Sequence, residues 1–150
     1  MHVVPHVRAL LDLTDTELGA SPWLALEQEQ IDAFADLTGD HQWIHVDVAR
    51  AADGPFGSTI AHGMLTLSFV PIFVGEVLRV DNASFGLNYG FEKIRFTAPV
   101  PAASRIRGRV SVAGTAPVEG GVRVTFAVHV EIEGRERPAC VAEQVIIWLE

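Results

Sequence analysis

The sequence predicts an α+β fold in which a curved antiparallel sheet wraps around one long central helix. Three observations carry this expectation. The run "AHGMLTLSFVPIFVGEVLRV" has apolar residues on every side, as a helix buried all round requires. The C-terminal half of the chain switches to period two, the mark of half-buried strands. Helices come first and strands afterwards, which separates α+β from alternating α/β folds. A helix this apolar is hidden only by a sheet that curls round it.

In chain order, the first twenty residues are weakly patterned and "SPWLAL" reads as a short strand. "EQEQIDAFADLTGD" reads as a helix, with Ile31, Phe34, Ala35 and Thr38 on one face at three- and four-residue spacing. Glu27 and Glu29 occupy its first turn, where the dipole favours negative charge. Gly39 stands where a helix ends in a left-handed residue. "VDVARAADGPFGS" is a helical turn running into a loop punctuated by Gly54, Pro55 and Gly57. The long apolar helix follows, about 25 Å for seventeen residues, kinked or locally broken at Pro71.

Four strands complete the chain. "FGLNYGFEKIRF" alternates with a phase slip near Glu92 that suggests a bulge. "RIRGRVSV" sets Ile106, Val110 and Val112 against Arg105, Arg107 and Arg109. "VRVTFAVHVEI" places Val122, Val124, Phe126, Val128, Val130 and Ile132 on one face. "PACVAEQVIIWL" is the last, with "VEGG" and "EGRERP" as connections.

At 150 residues, 49% hydrophobic and 20% charged, residues 1–150 are expected to form one domain with a substantial core. A net charge of −8 argues against a general nucleic-acid binder. The single cysteine, Cys140, permits no intrachain disulfide and suits a reducing compartment. No signal peptide is evident at the N-terminus. The longest apolar segment is too short and too interrupted to cross a membrane. The expectation is a soluble, cytoplasmic protein without nucleic-acid or membrane partners.

The chemistry concentrates in "TGDHQWIH", Thr38 to His45. Three readings stand side by side. His41 and His45, four apart, would share a helix face and hold a metal with Asp40 or His62 as third ligand, but Gly39 ends the helix before them and no established zinc spacing is present. Asp40 after a helix-ending glycine is also an ordinary turn residue. In the third reading Asp40 and His45 converge on one water, the carboxylate and imidazole taking and giving protons, with Trp43 and Ile44 excluding solvent. Gly63, at the start of the long helix, would then present a free amide to a substrate carbonyl.

The runs "FADLTGDHQWIHVD", "FGSTIAHGML" and "RFTAPVPAASRIRGRV" resemble the MaoC-like dehydratases, also called R-specific enoyl-CoA hydratases, over essentially the whole chain. The usual family turn is Gly-Asp-x-Asn-Pro-(apolar)-His. Here Gln42 and Trp43 replace Asn-Pro, as in a branch that includes nodulation protein N-like sequences. The resemblance implies the hot-dog fold and reversible addition of water to a trans-2-enoyl thioester, with Asp40 and His45 as the catalytic pair and Gly63 as the amide that polarises the carbonyl. It also implies a homodimer with pockets near its interface, for which Trp23, Ile146 and Trp148 offer apolar contact.

The substrate is then an acyl-CoA or acyl-carrier-protein thioester, and no cofactor or metal is required. Candidate substrate contacts are Trp43, Phe56, His62 and Met64, with Leu65 as a further wall. Lys93 and Arg95 are candidates for the phosphates of coenzyme A. Arg105, Arg107 and Arg109 suit the same role, or else a solvated sheet face. The alternatives are an acyl-CoA thioesterase on the same fold and a non-catalytic acyl-thioester-binding subunit.

Overall fold

The period-two segments form one antiparallel sheet, in a computed structural model that describes residues 1–150. Its long strands are β5 (Phe85–Phe96), β6 (Ser104–Val118), β7 (Gly121–Ile132) and β8 (Cys140–Leu149). Two short strands, β2 (Glu17–Ala20) and β3 (Leu24–Leu26), pair with β6, so the order is β2-β6-β7-β8-β5. β7 lies between β6 and β8, and all six of its predicted inward residues are buried. The β5–β8 register shifts between Asn88 and Gly90 and again between Phe91 and Lys93, so the slip expected near Glu92 is a real irregularity.

The apolar run packs against this sheet as two helices, α4 (Gly63–Ser68) and α5 (Val70–Val77). Of the two outcomes expected at Pro71, the local break is the one observed, and it divides the expected single helix. Pro71 sits in the first turn of α5; it has no amide hydrogen to continue a bond ladder from α4. The chain restarts rather than merely bending, while Phe69 keeps right-handed helical angles, φ −82° and ψ −14°. Val70, Phe73, Val74 and Val77 are buried in the core. Phe73 lies on β6 where Gly108 leaves room: a Cβ there would approach the Phe73 Cβ to 2.5 Å.

The N-terminal residues carry more structure than their weak pattern indicated. β1 (His2–Val4) pairs in parallel with β4 (Leu78–Val80), and a 3-10 turn (Val7–Leu13) buries Val7 and Leu10. α1 (Gln28–Thr38) buries Ile31 and Ala35, and Gly39 ends it at φ 81°. Thr38, expected on the buried face, is exposed, because its hydroxyl donates back to the Phe34 carbonyl at the open end of the helix. Two short helices, α2 (Trp43–Val46) and α3 (Val48–Ala52), follow. No helix is long and apolar enough to cross a membrane.

The proposed contact residues are placed differently from expectation. Ile146 is buried, Trp148 packs on the core, and Trp23 lies under the Arg107 guanidinium at 4.4 Å. β5 instead carries four exposed apolar or aromatic side chains, Phe85, Leu87, Tyr89 and Phe96. β5 ends the sheet, so its outer edge is unpaired.

Candidate active site

The chain reverses at Gly39 and brings the Asp40 turn against the start of α4. His45 and His62 are both buried, 6% and 3% exposed, whereas Asp40 is exposed. One donor atom from each of Asp40, His45 and His62 lies within 4.8 Å of the others. The two imidazoles stack with centroids 3.8 Å apart and planes 25° from parallel. Phe34 of α1 covers His62 at 4.9 Å.

Each ring is held by one nitrogen. His45 Nδ1–H donates to the Ile60 carbonyl at 2.7 Å, which leaves Nε2 as its free proton acceptor. His62 Nε2–H donates to the Asp40 carbonyl at 2.9 Å, and its Nδ1 is buried without a partner. Asp40 also accepts from the Gln42 amide at 3.3 Å, so the turn function expected of an aspartate after Gly39 is present too.

Hydrogen bonds from Gln28, Ile60 and Ala61 fix this arrangement. Gln28, the first residue of α1, donates to the His45 carbonyl at 2.7 Å and accepts from the Thr59 hydroxyl. The Ile60 amide donates to the Ile44 carbonyl at 3.0 Å, and the Ala61 amide to Val100 at 2.8 Å. The segment carrying His45's acceptor is therefore clamped between α2 and the chain leaving β5. Nothing in its residue pattern marked Gln28 for this work; its contacts span 17 and 31 residues.

His45 and Gly63 line one cavity of about 290 Å³, together with Ile60, Ala61, Thr66, Phe96, Ala139 and residues 97–100. Gly63 opens α4, so its amide has no intrahelical acceptor. A Cβ at Gly63 would meet the Phe96 ring at 3.1 Å; the glycine keeps the passage beside that amide open. Of the cavity residues, the candidate set held only His45 and Gly63; Thr66 and Phe96 are among those it omitted. Phe96 begins "FTAPV", a run already singled out for its resemblance, which was the available signal.

The other candidates lie outside the cavity. Trp43 is half-buried, its ring under Arg50 at 4.2 Å and against Gly54, so it braces the α2–α3 turn. Phe56 and Met64 are 45% and 60% exposed. Leu65 is buried in the core. Lys93 and Arg95 are exposed on β5, ahead of Phe96. Arg105, Arg107 and Arg109 pair with Glu133, Glu131 and Glu17 on the outer sheet face. His41 turns away to Asp36 at 2.9 Å, and that hydrogen bond raises its pKa.

Asp40, His45 and His62 are also the group best placed for a metal ion, but the fit is poor. Imidazole lone pairs lie in the ring plane, and two nearly parallel stacked rings do not converge on one centre. His41, proposed as a ligand from spacing, is not among the three. The arrangement suits proton transfer: a free imidazole nitrogen and a carboxylate close together, beside a cavity with an unpaired amide.

The chain is similar to known proteins over nearly its full length. A family model described as the MaoC like domain matches residues 11–133. The 3-hydroxyacyl-thioester dehydratase Z of Mycobacterium tuberculosis is 44% identical over 150 residues, covering 99% of both chains. Nodulation protein N of Rhizobium leguminosarum bv. viciae is 46% identical over 135 residues, 87% of this chain and 83% of its own. Among solved structures, the unliganded R-hydratase PhaJ1 of Pseudomonas aeruginosa superposes with a TM-score of 0.76 at 24% identity, covering 91% of this chain and 82% of that one. Sheet, paired helices and relatives agree on the hot-dog fold, and the chain belongs to the MaoC-like dehydratase family.

Proposed function

We propose that this protein is an R-specific hydratase and dehydratase of 3-hydroxyacyl thioesters. It is a hydro-lyase: water adds across the double bond of a trans-2-enoyl thioester, or leaves by the reverse path. The observation that carries this reading is that His45 and Gly63 line one cavity while the Asp40 carboxylate lies within 4.8 Å of the His45 ring.

The thioester carbonyl accepts a hydrogen bond from Gly63 N–H, which draws electron density from C3. Asp40 and His45 Nε2 hold a water between them. As its oxygen attacks C3, one proton passes to the pair, and the pair returns a proton to C2, so hydroxyl and hydrogen are added overall. Gly63 N–H stabilises the enolate oxygen in between. A positioned acid–base group contributes about 10²–10⁴-fold and an oxyanion donor about 10²–10³-fold. His62 holds the Asp40 backbone and backs the His45 ring. In this reading the exposed Met64 and Phe56 flank the thioester arm, and Lys93 and Arg95 meet the phosphates of coenzyme A or of a carrier protein's prosthetic arm.

The unpaired edge and exposed aromatic residues of β5 support a homodimer formed through that strand. Light scattering on the purified protein checks it, and a concentration-independent monomer would overturn it. A single free cysteine, Cys140, fits a reducing, cytoplasmic setting; burial pushes its thiol pKa up to about 11.

The test is to add the protein to crotonyl-CoA and follow the enoyl-thioester absorbance, with a thiol reagent in a parallel cuvette. Cys140, protonated and enclosed, contributes little to the thiol signal. Loss of absorbance without thiol release, yielding the R-3-hydroxyacyl product, is expected. Thiol release would make the protein a thioesterase.

A further inference from the structure

A second cavity, of about 210 Å³, lies between α5 and the β5–β8 pair, walled by Pro71, Val74, Gly86 and Ile146. Its remaining lining includes two polar groups with nothing to bond. Gln144 is fully buried, and its Oε1 has no partner; Trp148 Nε1 is equally enclosed and unpaired. Gln144 Nε2 donates to Asn88 Oδ1 at 3.2 Å. Turning both amides over exchanges the roles and still leaves one Gln144 atom unpaired.

Gln144 and Trp148 are four residues apart on β8, so their side chains share the face turned to α5. Packing does not require their polar atoms. A leucine and a phenylalanine would fill similar volumes without an orphaned polar atom, and buried polar groups are ordinarily satisfied. An apolar cavity with two enclosed, unsatisfied hydrogen-bonding groups is a site for a ligand that is mostly hydrocarbon and carries oxygen.

The two cavities share their framework. Ala139, immediately before β8, lines the first, and Gln144 and Trp148 of β8 line the second. Thr66 of α4 borders the first, and Pro71 and Val74 of α5 border the second. Five residues of strand span roughly 16 Å, about the length of a 12-carbon acyl chain.

Resting on the hydratase reading, we propose that the second cavity receives the far end of the acyl group, and that the preferred acyl chain is oxygenated there, its hydroxyl bonding with Gln144 and Trp148.

The experiment compares binding of dodecanoyl-CoA and 12-hydroxydodecanoyl-CoA by calorimetry, to the wild type and to Gln144→Leu and Trp148→Phe. Neither saturated thioester can be hydrated, so the readout does not depend on turnover. The hydroxylated ligand is expected to bind about tenfold tighter or more to the wild type. Each variant should lose that preference while holding dodecanoyl-CoA as well as the wild type does. Equal affinities in the wild type, no binding of either ligand, or a preference surviving in both variants would overturn the proposal; in those cases water fills the cavity. A hydroxyl preference in a protein that hydrates no enoyl thioester would sink the reaction and leave the subsite. Hydration of plain enoyl thioesters without the preference would do the reverse.

Discussion

The outer face of β6 and β7 and the pocket around His45 both gather charged and polar side chains, with opposite outcomes. On the sheet, Arg107 and Arg109 share Glu131 at 2.7 and 2.9 Å, Arg109 also reaches Glu17, and Arg105 takes Glu133. Every guanidinium there has a carboxylate. Around His45 the polar groups are placed by the backbone and left incomplete: Nε2 of His45 is free, Nδ1 of His62 has no partner, and the Gly63 amide has no acceptor in its helix. Charge that is neutralised in place supports a surface. Polar groups held rigidly without partners are available to a substrate.

The largest effects are therefore expected where the incomplete groups are removed. Asp40→Asn and His45→Gln should each lower turnover by about 10²-fold or more, with circular dichroism unchanged. Near-wild-type rates in either folded variant would sink the catalytic assignment. Gly63→Ala comes next. Its methyl would press on the Phe96 ring at 3.1 Å and narrow the approach to an amide that is still present. A loss of roughly 10²-fold in kcat/KM is expected, and a rate within twofold of wild type would remove Gly63 from the oxyanion role.

Gln28→Ala probes the support rather than the chemistry. It deletes a hydrogen bond to the His45 carbonyl and another to Thr59. Losing about 1.4 kcal/mol of positioning corresponds to a factor of about ten in kcat. The binding of a saturated thioester should hold steady. If KM alone changed, Gln28 would belong to the substrate contacts instead.

The fold was legible where one physical signal dominated. The alternation of residues 122–132 required one buried face, and all six inward residues are buried. Gly39 had to end α1, and it does so at φ 81°. Pro71 was recognised as a disturbance, but whether a proline bends a helix or restarts it depends on what the sheet offers the flanking turns. The tight seat of Phe73 over Gly108 is a contact between residues 35 apart in the chain. The site divides the same way. Asp40, His45 and Gly63 were readable from spacing and resemblance. The Gln28 clamp, the stacking of His62 on His45 and the place of Phe96 depend on long-range contacts with no local pattern. Phe56 and Met64 were apolar and near the motif in sequence, yet the open loop and outer helix face leave them exposed.

The smallest predicted effect tests the other side of the comparison. Burial alone would raise the pKa of Glu131, but hydrogen bonds from Arg107 and Arg109 outweigh it and hold the carboxyl below its ordinary value of 4.5. A carboxyl depressed on folding stabilises the native state above the unfolded pKa and loses that contribution as pH falls through the folded one. Glu131→Gln should therefore be less stable than wild type at neutral pH, by under about 1 kcal/mol for a part-exposed pair. The gap between the two proteins should begin to close as pH falls below the ordinary value of 4.5 and vanish below the depressed folded pKa, and added salt should narrow it at neutral pH. The same variant frees two guanidinium groups. If the arginine face served only as a solvated surface, KM for an acyl-CoA would stay unchanged. A lowered KM would show that these arginines can reach the coenzyme's phosphates once Glu131 no longer occupies them.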